Sequence, residues 1–510
     1  MKGLNARRVL VPLVVVLALG AVYGLVAFGR STTLGAGRQV LPPRSAAATS
    51  VMRACPSLGL AGSAATDVAL IAAPATAGQG QAEVSRLGGT ATTAVLRSLT
   101  TPGQLSIATV RAATVTRNTA TVTHHTATAP PSGLPVPTVT APGGVVVQAS
   151  GSMARGLEVE QVTAGGIPAA RCESPGTDFW FVGPGQHGLA RIQLYLVNAG
   201  NQTADVNVEA FTDAGPLQST PDTGITVAPH SMIVQSLAAE LRGSRAVVLH
   251  VRTSIGQVVA AVEESTRTGS GGAWLPVAQE PATTVVLPGL PATAGTRQLF
   301  VAVPGNQDAH LKLTAVTSRG SYPPTGSTGL DIPGGSAAQI ALPSLSGIPA
   351  TLRLSANVPI TASVMLAGGS PGAPGVFTAA ALPLQEQGVV AYNRTGGGTA
   401  SQLVLSAPGR AVTARITEIG LTGTAGAPQT VQIGAGHSLL TQLGKGGGAS
   451  RKSAFSVMIT PLAGSGPLYA GRVIIGSGAG GQVQSLLPVS SALTMVPLPH
   501  VQDMLITTVP

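Results

Sequence analysis

The sequence predicts an all-β chain of tandem immunoglobulin-like β-sandwich modules, in a repeat of about 104 residues, after one N-terminal transmembrane helix. Three observations predict it. Apolar and polar residues alternate with period two along short segments, as in Ala204-Asp205-Val206-Asn207-Val208-Glu209-Ala210, the pattern of a half-buried strand. Landmark segments return at a constant spacing. One uncharged apolar stretch of 21 residues, Val9–Gly29, stands near the start of the chain.

The composition admits this architecture. A chain of 510 residues has room for three or four domains. Apolar residues are 44% but aromatics only 3%, so cores must be built from Val, Leu, Ile and Ala. Charged residues are 9%, against about 25% in an ordinary soluble domain. Glycine (66) and proline (39) total 105, about a fifth of the chain and below the roughly 25–30% typical of disorder. Short strands joined by Gly/Pro turns fit these numbers.

The N-terminal segment comes first. Lys2, Arg7 and Arg8 precede Val9–Gly29 and Arg30 follows it. About 20 helical residues span ~30 Å of hydrocarbon. Positive charge ahead of the helix keeps residues 1–8 cytoplasmic and places the bulk outside. The rival reading is a cleaved signal peptide, whose apolar core runs about 7–15 residues with a small-residue cleavage site behind it. Val26-Ala27-Phe28-Gly29-Arg30 is a poor site of that kind. A linker over 30–50 follows.

Only two cysteines occur, Cys55 and Cys172. Outside the membrane an even count reads as a disulfide. Closing a loop of about 118 residues is worth roughly 4–5 kcal/mol in the chain-entropy model. Neither cysteine has a Cys or His at ligand spacing, which argues against metal.

The repeat organises the rest. Phe181-Val182-Gly183-Pro184-Gly185 returns as Val285-Val286-Leu287-Pro288-Gly289 and again as Val389-Val390-Ala391-Tyr392-Asn393, with 285−181 = 104 and 389−285 = 104. A strand pattern follows each: Leu194–Asn198, Leu299–Val303, Leu403–Ala407. Late strands recur at Ala246–Val251, Thr351–Ala356 and Phe455–Thr460, and each unit closes on a Leu-Pro: Leu275-Pro276, Leu382-Pro383, Leu487-Pro488. These landmarks divide the chain into a β-sandwich module over 179–283, a second over 284–387 and a divergent one with a C-terminal tail over 388–510. An irregular first β module over 51–178 precedes them. The two cysteines bracket it, and its stretch Thr109–Pro142, rich in Thr, Ala and Pro, reads as a loop. A plain flexible loop is the simpler account of that stretch and an O-glycosylated one the alternative. The expectation is a row of modules.

Motifs for chemistry are few. Arg472–Gly481 holds a G-x-G-x-x-G after a strand, but too little chain follows for a dinucleotide-binding βαβ unit. Gly368–Gly372 matches G-x-S-x-G, yet Pro371 and Pro374 replace the helix that a nucleophile elbow requires. His124-His125 has no nearby Asp, Glu or Cys, and adjacent residues on an extended chain point opposite ways. Glu158/Glu160 and Glu263/Glu264 are close carboxylate pairs at equivalent repeat positions, which suggests a role in the fold. No Lys/Arg run interleaves with aromatics, so no nucleic-acid partner is expected. No cofactor, no metal and no nucleotide is expected either.

The densest aromatic cluster is Asp178-Phe179-Trp180-Phe181, just after Cys172. It reads as a plug between modules or as a contact surface for a partner or glycan through Phe179, Trp180 and Phe181. Trp274 sits at the next junction, which favours the plug.

With Cys55-Pro56, with Cys172 followed by Pro175 and Asp178–Gly183, and with the A-x-V-x-V strands after Asn198, the chain resembles a family of actinobacterial membrane-anchored exported proteins of unknown function. The resemblance covers most of residues 50–500 and weakens after about residue 390. It implies the topology and the disulfide and carries no activity. The expected function is therefore non-enzymatic: a membrane-anchored, extracytoplasmic cell-envelope scaffold or interaction module, a stalk whose partners are envelope proteins or anionic cell-wall polymers. The alternatives are cell-wall glycan binding and, behind it, an envelope hydrolase.

Overall fold

The computed structural model describes residues 45–497 apart from 57–64, 75–77, 88–93, 112–138, 141–143, 164–166, 187–188, 218–223, 238, 267–271, 294, 328, 343–344, 346, 367–374, 446–453 and 477–481. Val9–Gly29, His124-His125, Gly368–Gly372 and the glycines after Gly476 in the Arg472–Gly481 motif lie outside the described residues. The chain divides into two compact units, Met1–Ala46 with Val496–Pro510, and Ala47–Met495.

Among the described residues the structure is all-β, with a single 3-10 turn at Ser152–Ala154 and no helix long and apolar enough to cross a membrane. After β1 (Ser45–Ala47), the first set of strands is β2 (Ser50–Cys55), β3 (Ala65–Ile71), β4 (Gly80–Arg86), β5 (Ala94–Leu99), β6 (Ser106–Arg111), β7 (Val139–Thr140), β8 (Val145–Gly151), β9 (Glu158–Val162) and β10 (Pro168–Arg171). They form two sheets, β2-β8-β4-β5 and β10-β9-β3-β6, and β7 leaves for the next set.

The second set holds β11 (Asp178–Pro184), β12 (Leu189–Asn198), β13 (Ala204–Thr212), β14 (Gly215–Pro216), β15 (Ile225–Val227), β16 (Ser231–Ser236), β17 (Ala246–Ile255), β18 (Val259–Thr266) and β19 (Ala273–Leu275). Its sheets are β11-β17-β13-β14, with β15 also on β13, and β19-β18-β12-β16-β7.

The third set holds β20 (Ala282–Leu290), β21 (Arg297–Val303), β22 (Ala309–Thr317), β23 (Gly320–Tyr322), β24 (Leu330–Ile332), β25 (Ser336–Leu342), β26 (Ala350–Leu366) and β27 (Val376–Ala379). Here one 17-residue strand, β26, serves both sheets: its first part pairs with β20 and β22, its second with β21 and β27.

The fourth set is β28 (Gly388–Asn393), β29 (Thr399–Ala407), β30 (Val412–Gly420), β31 (Gln429–Ile433), β32 (His437–Gln442), β33 (Phe455–Pro461), β34 (Tyr469–Gly476) and β35 (Gln482–Pro488), in sheets β28-β33-β30-β31 and β32-β29-β34-β35. The last strand, β36 (Met495–Pro497), pairs with β1.

Each set closes its own apolar core between its two sheets, a β-sandwich-like arrangement. Val68, Val84, Val147 and Val159 meet in the first, and Phe181, Leu194, Val208 and Leu249 in the second. Leu287, Leu299, Leu313 and Leu354 meet in the third, and Leu405, Ile416, Phe455 and Val457 in the fourth. Strands open on one face keep the alternation read from sequence; β13 runs buried, half-buried, buried along its length.

Many strands do not alternate, because both faces of their sheets are covered. All of Gly388–Asn393 is buried, as is Ala246–Val251. The sheet β2-β8-β4-β5 lays Ala54 and Val146 against Tyr195, Val197 and Met232 of the second set. Trp180, Val182 and Val248 of the second set pack on Phe300, Ala302 and Ala337 of the third. Val404, Val473 and Leu486 of the fourth set join the core of the third. The circuit then closes: Val389, Ala391 and Tyr392 of the fourth set pack on Ile71, Ala69 and Leu105 of the first. In each case the sheet holding the first strand of one set faces the sheet holding the second strand of the next.

This closure differs from the row expected above. A row would leave the first and last sheets apart. Here Ala48 N donates to Thr494 O (2.9 Å), Gly156 N to Leu493 O (3.0 Å) and Gln104 Nε2 to Leu421 O (3.2 Å), joining the two ends of the Ala47–Met495 unit. The first set also extends into the stretch read as loop: β6 reaches Arg111, and Val139–Thr140 forms β7 on the edge of β16.

Candidate functional site

The closing strands of the four sets, β10, β19, β27 and β35, adjoin one another in sequence around the circuit. Where those of the first, second and fourth sets meet lies a cavity of about 50 Å³. Ala170, Arg171 and Glu173 line it from the first set, Trp274, Leu275 and Pro276 from the second, and Leu487 and Pro488 from the fourth. Two of the three Leu-Pro landmarks thus face this central cavity. Small-molecule pockets measure ~300–1,000 Å³, so the cavity suits a single side chain or a few waters. Trp274 is half-buried at its wall, tilted against Tyr195 with ring centroids 5.0 Å apart. The Tyr195 hydroxyl donates to Glu263 Oε2 (2.7 Å), and burial raises both pKa values.

Charged groups stand behind the cavity. Glu158, 1% exposed, accepts from Arg171 Nε and, at 2.9 Å, from Arg171 Nη2. Arg53 Nη2 lies 3.7 Å from Glu158, and Arg171 Nη1 3.7 Å from Glu173. Burial alone would lower the Arg171 pKa; the Glu158 and Glu173 carboxylates outweigh it and hold the guanidinium well above its ordinary value. Arg53 is displaced the other way by burial.

Glu160 turns to the seam between the first and fourth sets. It accepts from Ala391 N (2.9 Å) and lies 3.7 Å from Arg472, both side chains 2% exposed or less. Burial raises the Glu160 pKa and lowers that of Arg472.

The disulfide Cys55–Cys172, Cα atoms 4.6 Å apart, ties the end of β2 to the exit of β10 beside this charge cluster. Ala54 N donates to Glu173 O (2.9 Å) at the same place.

The aromatic trio is placed differently from the expected contact surface. Phe179, Trp180 and Phe181 are 6%, 7% and 1% exposed. Phe179 and Phe181 enter the core of the second set. Trp180 faces the third set and stacks on His250, centroids 3.7 Å apart, while His250 Nε2 lies 3.0 Å from Asp178. A glycan ring needs an open face, and these rings have none. At this strand the second set's own core covers one face of the sheet and the third set the other, so the cluster becomes packing.

The remaining motifs resolve plainly. Arg472 belongs to β34, which pairs antiparallel with β35, so the segment that follows the Gly-rich run is a strand. The carboxylate pairs are internal: Glu158 and Glu160 in ion pairs, Glu263 on Tyr195, and Glu264 buried with Oε2 lacking a hydrogen-bond partner. Among the described residues no group of three or more His, Cys, Asp or Glu is placed to hold a metal ion. Arg171, Arg472 and the central cavity carry no local signal in sequence, since their partners come from distant strands. A polar cleft of about 600 Å³, lined by Gly78, Gln79, Gln81, Thr100 and Ser150, lies at one end of the first set.

A family model of unknown function, DUF5719, matches residues 126–443. The chain belongs to this family. DUF5719 membership spans the second and third sets whole and most strands of the fourth, and brings no assigned chemistry. No curated protein matches the chain.

Proposed function

We propose that this DUF5719 protein is a non-enzymatic, extracytoplasmic envelope scaffold, anchored in the cell membrane by Val9–Gly29, whose strand sets are tandem Ig-like modules, an irregular first one followed by three that repeat at about 104 residues. The observation that carries this reading is the central cavity at the meeting of three sets, with Trp274 half-open beside Arg171 and Glu173. It suits one apolar anchor side chain of a partner protein, the usual core of a binding hot spot.

Other observations support the reading. The same strand-pairing order recurs in all four sets. The disulfide fits an oxidising compartment outside the cytoplasm. The close carboxylate pairs Glu158/Glu160 and Glu263/Glu264 are engaged inside the fold, which suits a role in the fold. Glycan binding is the second reading, favoured by the uncharged amide- and hydroxyl-lined cleft at Gln79 and Gln81.

Photo-crosslinking from position 487 in the full chain, on intact cells, tests the proposal. A defined envelope protein, crosslinked by the wild type and lost on Trp274→Ala with the melting temperature retained, is the expected result. Crosslinking to wall glycan alone would favour the second reading. No adduct from a folded, exported chain would remove the cavity from consideration.

A further inference from the structure

We infer that the outer edge of β32 docks an extended, uncharged, β-branched segment of another polypeptide, which adds to the sheet as a further strand. The molecule already does this once. In the second set, Val139 and Thr140 of β7 pair with Val234 and Ile233 on the edge of β16. This segment comes from the Thr-, Ala- and Pro-rich stretch of the first set, far outside the β16 sheet in sequence. β32 is the counterpart of β16: each pairs on one side with the second strand of its set, β29 and β12 respectively.

The other side of β32 has no strand among the described residues. Leu443 N donates to Ser401 O (2.9 Å), and bonding residues alternate along an antiparallel pair. Leu439 and Thr441 therefore bond to β29, while Ser438, Leu440 and Gln442 turn their N–H and C=O groups to the open side. The register on β29 runs without a bulge from His437 to Gln442.

Proteins blunt free edges with Lys, Pro, bulges or covering groups. His437-Ser438-Leu439-Leu440-Thr441-Gln442 has no Lys, no Pro and no bulge. It also presents Leu440, 36% exposed, among the few large apolar side chains open to solvent. The matching edges differ. On β6, Arg97 Nη1 donates to Ile107 O and caps the strand. On β25 the exposed positions are Gln339 and Ala341, with no large apolar group.

The occupant follows from the edge. Backbone pairing supplies the affinity and alternate side chains the selectivity. β32 has no Asp, Glu, Lys or Arg to steer a charged partner, its one titratable side chain being His437 at the strand's start, and Leu440 asks for an apolar, β-branched neighbour. The precedent on β16 is of that kind, a Val-Thr pair.

The test uses the purified full-length chain and a labelled peptide with a Thr-Val-Thr-Val-Thr core and lysines at one end for solubility. The expected result is saturable binding that falls about tenfold or more with Leu440→Pro, which removes one outward N–H, and with the peptide N-methylated at alternate residues. Leu440→Lys, which keeps the backbone donor, weakens binding less than Leu440→Pro. Absence of binding to the wild type at millimolar peptide overturns the inference. So does equal binding by Leu440→Pro or by the N-methylated peptide. Crosslinking of β32 to β32 between copies that the peptide does not displace overturns it as well, since the edge would then serve self-association.

Discussion

At the residue scale the buried charges matter most, because each must be matched where it lies. Glu160 and Arg472 are the matched case, an ion pair across the seam with a backbone N–H from Ala391 on the carboxylate. Removing one member leaves the other charge buried, which costs about 3–5 kcal/mol, whereas replacing both by apolar residues is nearly neutral. Glu160→Ala should therefore lower the midpoint of denaturant unfolding strongly, and the double change Glu160→Leu with Arg472→Met should recover most of the loss.

Glu264 is the unmatched case. It is 4% exposed, its Oε2 has no hydrogen-bond partner, and burial raises its pKa well above 4.5. The folded state then binds a proton that the unfolded state releases first. Stability is full below about pH 4.5 and declines as pH rises through the folded pKa. Glu264→Gln should raise the melting temperature at pH 7 and leave it little changed at pH 4; equal shifts at both pH values would sink this account.

At the scale of elements, small residues let sheets approach. Gly289 in β20 has φ +90°, a left-handed conformation that glycine tolerates, and a Cβ there would stand 2.9 Å from the Cα of Gly471 in β34. Thr351 and Ser406 share a hydrogen bond across the same boundary (2.5 Å). A side chain at this crossing must push the third and fourth sets apart, so Gly471→Val should destabilise by about 2–4 kcal/mol through overpacking and backbone shift. The same substitution at Gly464, with nothing within 4 Å, should cost less, chiefly through its φ of +81°. Thermal unfolding of the two variants separates packing from backbone strain.

At the scale of the whole molecule, the closed circuit of sheets explains the composition. A sheet covered on both faces has few solvent-facing positions, which is why charged residues can be 9% while the fold stays packed. The disulfide lies in the core of the first set and ties the end of β2 to the exit of β10. Cys172→Ser should cost about 2–5 kcal/mol. Limited proteolysis should then show first cuts in the first set, whose strands it ties together. Cuts elsewhere would place the weak point at another boundary.

The sequence by itself determined what depends on local pattern. Period-two alternation marked β13 and β22, Gly and Pro marked the turns, and the even cysteine count marked Cys55–Cys172. The Val285-Val286 and Val389-Val390 landmarks fall in β20 and β28, the first strands of their sets, whereas Leu382-Pro383 lies beyond the end of β27. Three things only the tertiary structure decided. Whether Trp180 faces solvent or another sheet depends on what stacks on β11, and that partner is β21 and β25 of the next set. The partner of Glu160 is Arg472, because the last sheet returns to the first. The central cavity exists only because the closing strands of the first, second and fourth sets meet. Side-chain period reports which face of a strand is covered by its own sheet's core. It carries no information about a second layer supplied from a distant part of the chain, and here that second layer closes the molecule.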